Sequence, residues 1–165
     1  MMESIQRRRW MNRIRTILVG VDFSETGALA LEYAVGLAKL LKNNAKLVLV
    51  HVLEPVPAPA DSTWAVDLVE LERQMEESAT NRLKSLAEEL SQKEGLVVRT
   101  EFRRGVPYRG LLEAVQDLMA DLLVLGTHGR TGLSHMFLGS TAERTVRHAS
   151  CPVLTIRHRG EEQQL

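Results

Sequence analysis

Apolar residues along this chain fall into two alternating kinds of run. Compact aliphatic and β-branched stretches occupy residues 15–21 (RTILVGV), 46–52 (KLVLVHV) and 121–126 (DLLVLG). Near-continuous hydrophobicity of this kind suits parallel strands buried on both faces. Residues 96–103 instead alternate polar and apolar positions, which predicts an edge strand with one wetter face. Residues 152–158 (PVLTIRH) predict a fifth strand. Between the strands the spacing becomes helical. Leu29, Tyr33, Leu37 and Leu40 predict a helix over 25–41, with Asp22 or Ser24 as its cap. Three prolines make 54–59 a loop. Leu68, Leu71, Met75, Leu83, Leu86 and Leu90 mark a long helix over 65–93, whose register is imperfect at 76–81 and admits a break there. Gly95 ends it. Pro107 opens a helix reaching about residue 119, and 140–149 forms the last.

Strands alternating with helices imply a parallel sheet covered on both faces. Right-handed crossovers restrict the strand orders. An edge-like third strand and very apolar first and fourth strands favour the order 3-2-1-4-5. The expected fold is therefore an open five-stranded parallel α/β sheet, Rossmann-like, with its switch point between strands one and four. Ligands of such sheets bind beyond the strand carboxyl ends at that point. Asp22, after strand one, and the glycine-bearing segment after strand four both arrive there.

Composition narrows the class. Lys+Arg and Asp+Glu both number 21, so the chain lacks the basic excess of a dedicated nucleic-acid binder. Hydrophobic content of 44% and charged content of 25% fit a soluble globular protein. The expected organisation is a flexible basic extension over 1–13 (Arg7, Arg8 and Arg9), one domain over 14–158, and a frayed tail over 159–165. The apolar run 17–21 is too short for a signal peptide and closes at Asp22 without a small-residue cleavage pattern. No stretch is long and apolar enough to span a bilayer. A lone cysteine, Cys151, excludes an internal disulfide and fits a reducing compartment; the cytoplasm is the expected location. Cys151 itself reads as a buried structural thiol.

The chemistry concentrates in residues 126–141 (GTHGRTGLSHMFLGST). Gly126, Gly129 and Gly139 stand where a strand gives way to a loop and then a helix. A glycine loop can turn sharply and aim several backbone N–H groups at one anion, and the helix opened by Ser140 adds partial positive charge. This is phosphate-holding chemistry, yet no Lys-Ser/Thr Walker sequence is present and no G-x-G-x-x-G follows the first strand.

The spacing Gly126-x-x-Gly129, nine residues, then Gly139-Ser140 resembles the ATP-binding class of universal stress proteins. So do Val21-Asp22-Phe23-Ser24, His51-Val52, and Cys151-Pro152-Val153-Leu154, all in family order over about residues 14–158. The resemblance implies an adenine nucleotide alpha hydrolase-like sheet, usually a homodimer, with ATP or another adenine nucleotide as ligand. By position, Asp22 would approach the ribose, or a Mg2+ beside the phosphates. The Val52 backbone would read the adenine edge. Gly126, Gly129, Gly139, Ser140 and Thr141 would hold the phosphates, and Leu125 and Val21 would line the pocket. His128 and Arg130 lie within the loop.

Several of these residues have structural readings of their own. Ser140 and Glu143 form S-x-x-E, a capping box. Asp22 could close a turn. His51 reads as a satisfied core histidine, and His128, His135, His148 and His158 show no metal-ligand spacing. Arg147 and His148 suit a helix C-terminus. Glu70, Glu72, Arg73, Glu76 and Glu77 read as a solvated face. No G-x-S-x-G elbow occurs, and no acid–base carboxylate pair is identifiable, so binding is favoured over fast turnover. Three functions stay open: an ATP-dependent dimeric regulatory switch working through the 128–138 loop, a slow Mg-dependent ATPase or phosphotransferase, and a nucleotide-free protein-interaction module. Dimerisation is expected through residues 153–157, since an edge strand invites pairing; no nucleic acid or membrane partner is expected.

Overall fold

The computed structural model describes residues 13–41, 45–57, 65–127 and 138–157. Its elements follow in the order β1 (Thr16–Gly20), α1 (Glu25–Leu41), β2 (Lys46–Leu53), α2 (Ala65–Glu94), β3 (Val98–Arg104), α3 (Pro107–Asp117), β4 (Leu122–Gly126), α4 (Ser140–His148) and β5 (Val153–Ile156). The five strands form one sheet in the order β3-β2-β1-β4-β5, and every neighbouring pair is parallel. The expected sheet and strand order are thus observed, with β3 and β5 at the edges.

Period-two alternation divides the apolar side chains between two cores. Ile17, Val19, Leu47, Leu49 and Val124 face α1 and α2, where Ala30, Ala34, Ala38 and Leu83 meet them. Leu18, Val48, Val50, Leu123 and Leu125 face α3 and α4, against Leu111, Ala114, Val115 and Ala142. Central strands β1 and β4 are buried along nearly their whole length, as double coverage demands.

Two helices differ from expectation. In α1 the core stripe is Gly27, Ala30, Leu31, Ala34, Val35, Ala38 and Leu41. The larger residues Tyr33 and Leu40 are 60% and 66% exposed, while Leu29 and Leu37 pack at the core margin. Small side chains let the helix backbone approach the sheet, so size complementarity overrode hydrophobicity in choosing the face. The admitted break in α2 is absent, and the helix runs unbroken through 30 residues. At about 1.5 Å rise per residue it outreaches the eight-residue β2, and its first turns overhang the strand carboxyl ends. That overhang is anchored by polar contacts: Glu72 Oε1 accepts the Val56 N–H at 3.2 Å, and Glu76 pairs with Arg104 at the end of β3. Two members of the expected solvated face therefore tie α2 to its surroundings. Arg73 does bridge Glu70 and Glu77 on the exposed side.

Gly95 ends α2 with φ of +65° and its N–H on the Ser91 carbonyl, the left-handed cap that glycine adopts without a Cβ penalty. Among the described residues no helix is long and apolar enough to cross a membrane.

Candidate functional site

A cleft of about 430 Å³ opens at the strand carboxyl ends, a volume within the range of small-molecule sites. Four segments build it. β1 delivers Val21 and Asp22, β2 delivers His51 and Val52, β4 delivers Leu125 and Gly126, and the start of α4 delivers Gly139, Ser140 and Thr141. They meet because β1 and β4 are neighbours whose crossovers leave in opposite directions, so the two connections part and leave a crevice. His128, Gly129 and Arg130, with most of the 128–138 loop, lie outside the described residues. The loop's two ends are fixed: the Thr127 N–H donates to the Ile156 carbonyl at 2.8 Å, and the Gly139 N–H donates to the Thr127 carbonyl at 2.7 Å.

Asp22 combines the structural and the cleft-lining roles. Its Oδ1 accepts the Ser24 N–H at 3.0 Å and the Ser24 hydroxyl at 2.6 Å. Ser24 Oγ in turn accepts the Gly27 N–H at 3.0 Å, so Ser24 is the cap of α1 and Asp22 braces the cap. Gly27 is required by that arrangement, since a Cβ there would stand 2.4 Å from Asp22 Oδ1. Gly126 has a comparable reason. A Cβ would meet Thr26 C at 3.0 Å and Gly27 N at 3.1 Å, so its lack of a side chain lets the first turn of α1 lie against the end of β4.

His51 is a buried core histidine, as expected. Its Nδ1 lies 2.7 Å from the Val21 carbonyl; a carbonyl only accepts, so Nδ1 carries the proton. This bond, with the Val21 N–H on the Val50 carbonyl at 2.8 Å, holds the chain straight up to Asp22. Phe23 follows with φ of +61°, an outlying conformation for an aromatic residue. Its ring packs 4.9 Å from the His51 ring and lies 4.0 Å beneath the Arg82 guanidinium. Nothing in the sequence signals this conformation; tertiary packing on both sides of the ring holds it.

The capping box expected at Ser140 is not formed. The N-cap is Gly139, no side chain caps the helix, and Ser140 is the first helical residue. Glu143 pairs with Arg147 one turn on, at 2.9 Å. The Glu143 N–H bonds the Gly139 carbonyl instead, which starts the helix one residue earlier than a Ser140 cap would. The Ser140 and Thr141 side chains are thereby placed on the first turn, at the cleft wall.

Sequence reasoning missed other lining residues. Met75 reaches the cleft from the overhang of α2, and Pro107 and Leu111 reach it from α3. Pro107 carried a readable signal as the first residue of a helix after a strand; Met75 carried none, because its position depends on the length of α2. Chemically, the cleft has an apolar wall from Val50, Val52, Leu111 and Leu125 and a polar end at Gly139, Ser140 and Thr141, with Asp22 at the β1 rim. Among the described residues no cluster of three or more His, Cys, Asp or Glu is arranged to hold a metal ion by itself.

Fold and cleft together define a doubly wound α/β protein with a crevice at its switch point. Comparison with known proteins gives the family. The chain belongs to the Universal stress protein family, whose family model matches residues 13–157. Universal stress protein MJ0531 of Methanocaldococcus jannaschii is 32% identical over 158 residues, covering 94% of this chain and 89% of that protein. The universal stress protein UspA from Lactobacillus plantarum is similar in structure, with a TM-score of 0.76 at 28% identity over 87% of this chain and 98% of that one. More distant structures at 21% identity share the fold; they include a universal stress protein in complex with cAMP and one from Arabidopsis thaliana with AMP bound.

Proposed function

We propose that this protein is a cytoplasmic regulatory protein that binds ATP or another adenine nucleotide in the cleft between β1 and β4. The observation that carries the proposal is the convergence of Val21, Asp22, Val52, Leu125, Gly126, Gly139, Ser140 and Thr141 on that one cleft, from four separate stretches of chain. The residues fit such a ligand. The apolar wall suits a base, which stacks and is read at its edge by backbone groups. The polar end suits phosphates, since hydroxyls and the leading N–H groups of α4 stand together there without a capping side chain. In this reading Asp22, at the β1 rim of the cleft, accepts from ribose hydroxyls or shares a Mg2+ with the phosphates. Relatives solved with cAMP and with AMP are too distant to add more than the fold, so this chain's own cleft supports the assignment.

Binding is favoured over turnover. His51, the imidazole lining the cleft among the described residues, donates its Nδ1 proton to the Val21 carbonyl and is not set up at that nitrogen as a base. The edge strand β5 supports pairing of two copies through residues 153–157. In this proposal the 128–138 loop, whose stem bonds the cleft rim, relays nucleotide occupancy to partners.

Native mass spectrometry of freshly isolated protein tests ligand and subunit number together. Co-purified adenine nucleotide on a dimer is expected, and Asp22→Ala should weaken ATP binding by about tenfold or more, the order of a lost charge-assisted hydrogen bond. Calorimetry that detects no heat with ATP, ADP or AMP would retire the nucleotide assignment. A monomer at micromolar concentration in sedimentation would retire the dimer.

A further inference from the structure

A second group of polar side chains lies just behind the polar end of the cleft, where α3 and α4 come together. Arg109 Nε donates to Tyr108 Oη at 3.0 Å. The guanidinium carbons of Arg109 and Arg144 lie 5.8 and 5.2 Å from the centre of the Tyr108 ring. One ring thus has two cations close by. The phenol responds to this field: its pKa is pulled below the ordinary tyrosine value, first by the hydrogen bond from Arg109 and further by the charge of both arginines.

The nearby carboxylates are engaged elsewhere. Glu143 pairs with Arg147 at 2.9 Å. Glu113, one turn from Arg109, lies 3.9 Å from Arg103 and adds only a Coulombic contribution at Arg109, behind the Tyr108 hydrogen bond. Neither Arg109 nor Arg144 forms a salt bridge with a carboxylate among the described residues. An anion that reaches both side chains accepts from their forks, for which the planar guanidinium is suited.

The position of the group relates it to the cleft. Tyr108 directly follows Pro107, a lining residue, and Arg144 stands four residues after Ser140, another lining residue. Residues four apart share a helix face, so Arg144 continues the Ser140 side of α4 by one turn, about 5.4 Å. A phosphate chain that began at Ser140 and extended along α4 would come to Arg144, which shares the Tyr108 ring with Arg109.

We propose that Tyr108, Arg109 and Arg144 form a distal anion subsite that takes the outer phosphates of an oligophosphate whose inner end occupies the cleft. The subsite rests on the nucleotide reading of the cleft and adds to it a reason for chain-length selectivity. A monophosphate ends before the arginines, whereas a triphosphate reaches them.

Calorimetry on the full chain with AMP, ATP and inorganic tripolyphosphate, each without added metal, provides the test. In the double variant R109Q/R144Q, ATP and tripolyphosphate should bind about tenfold or more weakly, from loss of charge-assisted hydrogen bonds, while AMP changes less than about twofold. R109K/R144K, which keeps charge without the fork, should recover part of the loss. Unchanged ATP and tripolyphosphate affinity in R109Q/R144Q overturns the subsite, as does an equal loss for AMP and ATP. A native protein that binds neither ATP nor tripolyphosphate overturns it too. If the native protein binds tripolyphosphate through the arginines but no adenine nucleotide, the subsite stands and the reading of the cleft fails.

Discussion

Gly126 separates two explanations of the same residue. Read in sequence, it is a phosphate-loop glycine, and its loss should matter only when nucleotide is present. In the structure a Cβ at Gly126 would lie 3.0 Å from Thr26 C, 3.1 Å from Gly27 N and 3.1 Å from Thr26 Cγ2. Two of those three atoms are backbone in the first turn of α1, so they yield only if the helix start shifts. Gly126→Ala should therefore destabilise the ligand-free protein by about 1–3 kcal/mol, the usual range for overpacking. With an unfolding entropy of about 2.1 cal/mol/K per residue over 165 residues, that corresponds to a Tm lower by about 3–9 °C. Gly36→Ala is the matched control. It lies in α1, the helix that Gly126 packs against, nothing stands within 4 Å of its added Cβ, and it should stabilise by about 0.5–1 kcal/mol through helix propensity. Urea denaturation of nucleotide-stripped protein reads both variants. If Gly126→Ala unfolds within about 0.5 kcal/mol of the parent while Gly36→Ala gains stability, the packing explanation is wrong and the glycine serves ligand approach alone.

Further outcomes follow from the same geometry. Ser24→Ala removes both the cap on Gly27 and the hydroxyl bond to Asp22, and should cost about 1 kcal/mol in denaturant unfolding; no loss would show that the cap is not formed in solution. Glu70, hydrogen-bonded by Arg73 and Gln74, has its carboxyl lowered to about 2. A carboxylate shifted downward contributes stability above its ordinary range near 4.5, and that contribution fades as pH falls through about 2. NMR titration should find Glu70 still charged at pH 3.5 and returned toward its ordinary value in Arg73→Gln. An ordinary titration in the parent protein would remove the ion pair from solution. Cys151, expected as a buried thiol, is only half-buried; that burial still pushes the thiol up, so alkylation at pH 8 should be slower than for free cysteine, and equal rates would mean that the thiol is solvated.

The sequence by itself determined the architecture and the address of the cleft. Continuous apolar runs at β1 and β4 and the alternating run at β3 dictated which strands are central, and that choice places the switch point beside Asp22 and Gly126. Such features are local, because a strand's hydrophobic pattern is set by the residues it contains. The tertiary structure decided what depends on distance between segments. It chose the alanine face of α1 over Tyr33 and Leu40, since only small side chains bring that helix down onto the sheet. It carried Met75 into the cleft through the unbroken length of α2, and it held Phe23 in a left-handed conformation between His51 and Arg82. It also replaced the Ser140 capping box with a helix start at Gly139. Close approach, helix overhang and ring stacking join residues tens of positions apart, and a linear pattern holds no information on the size of the gap between them until the chain is packed.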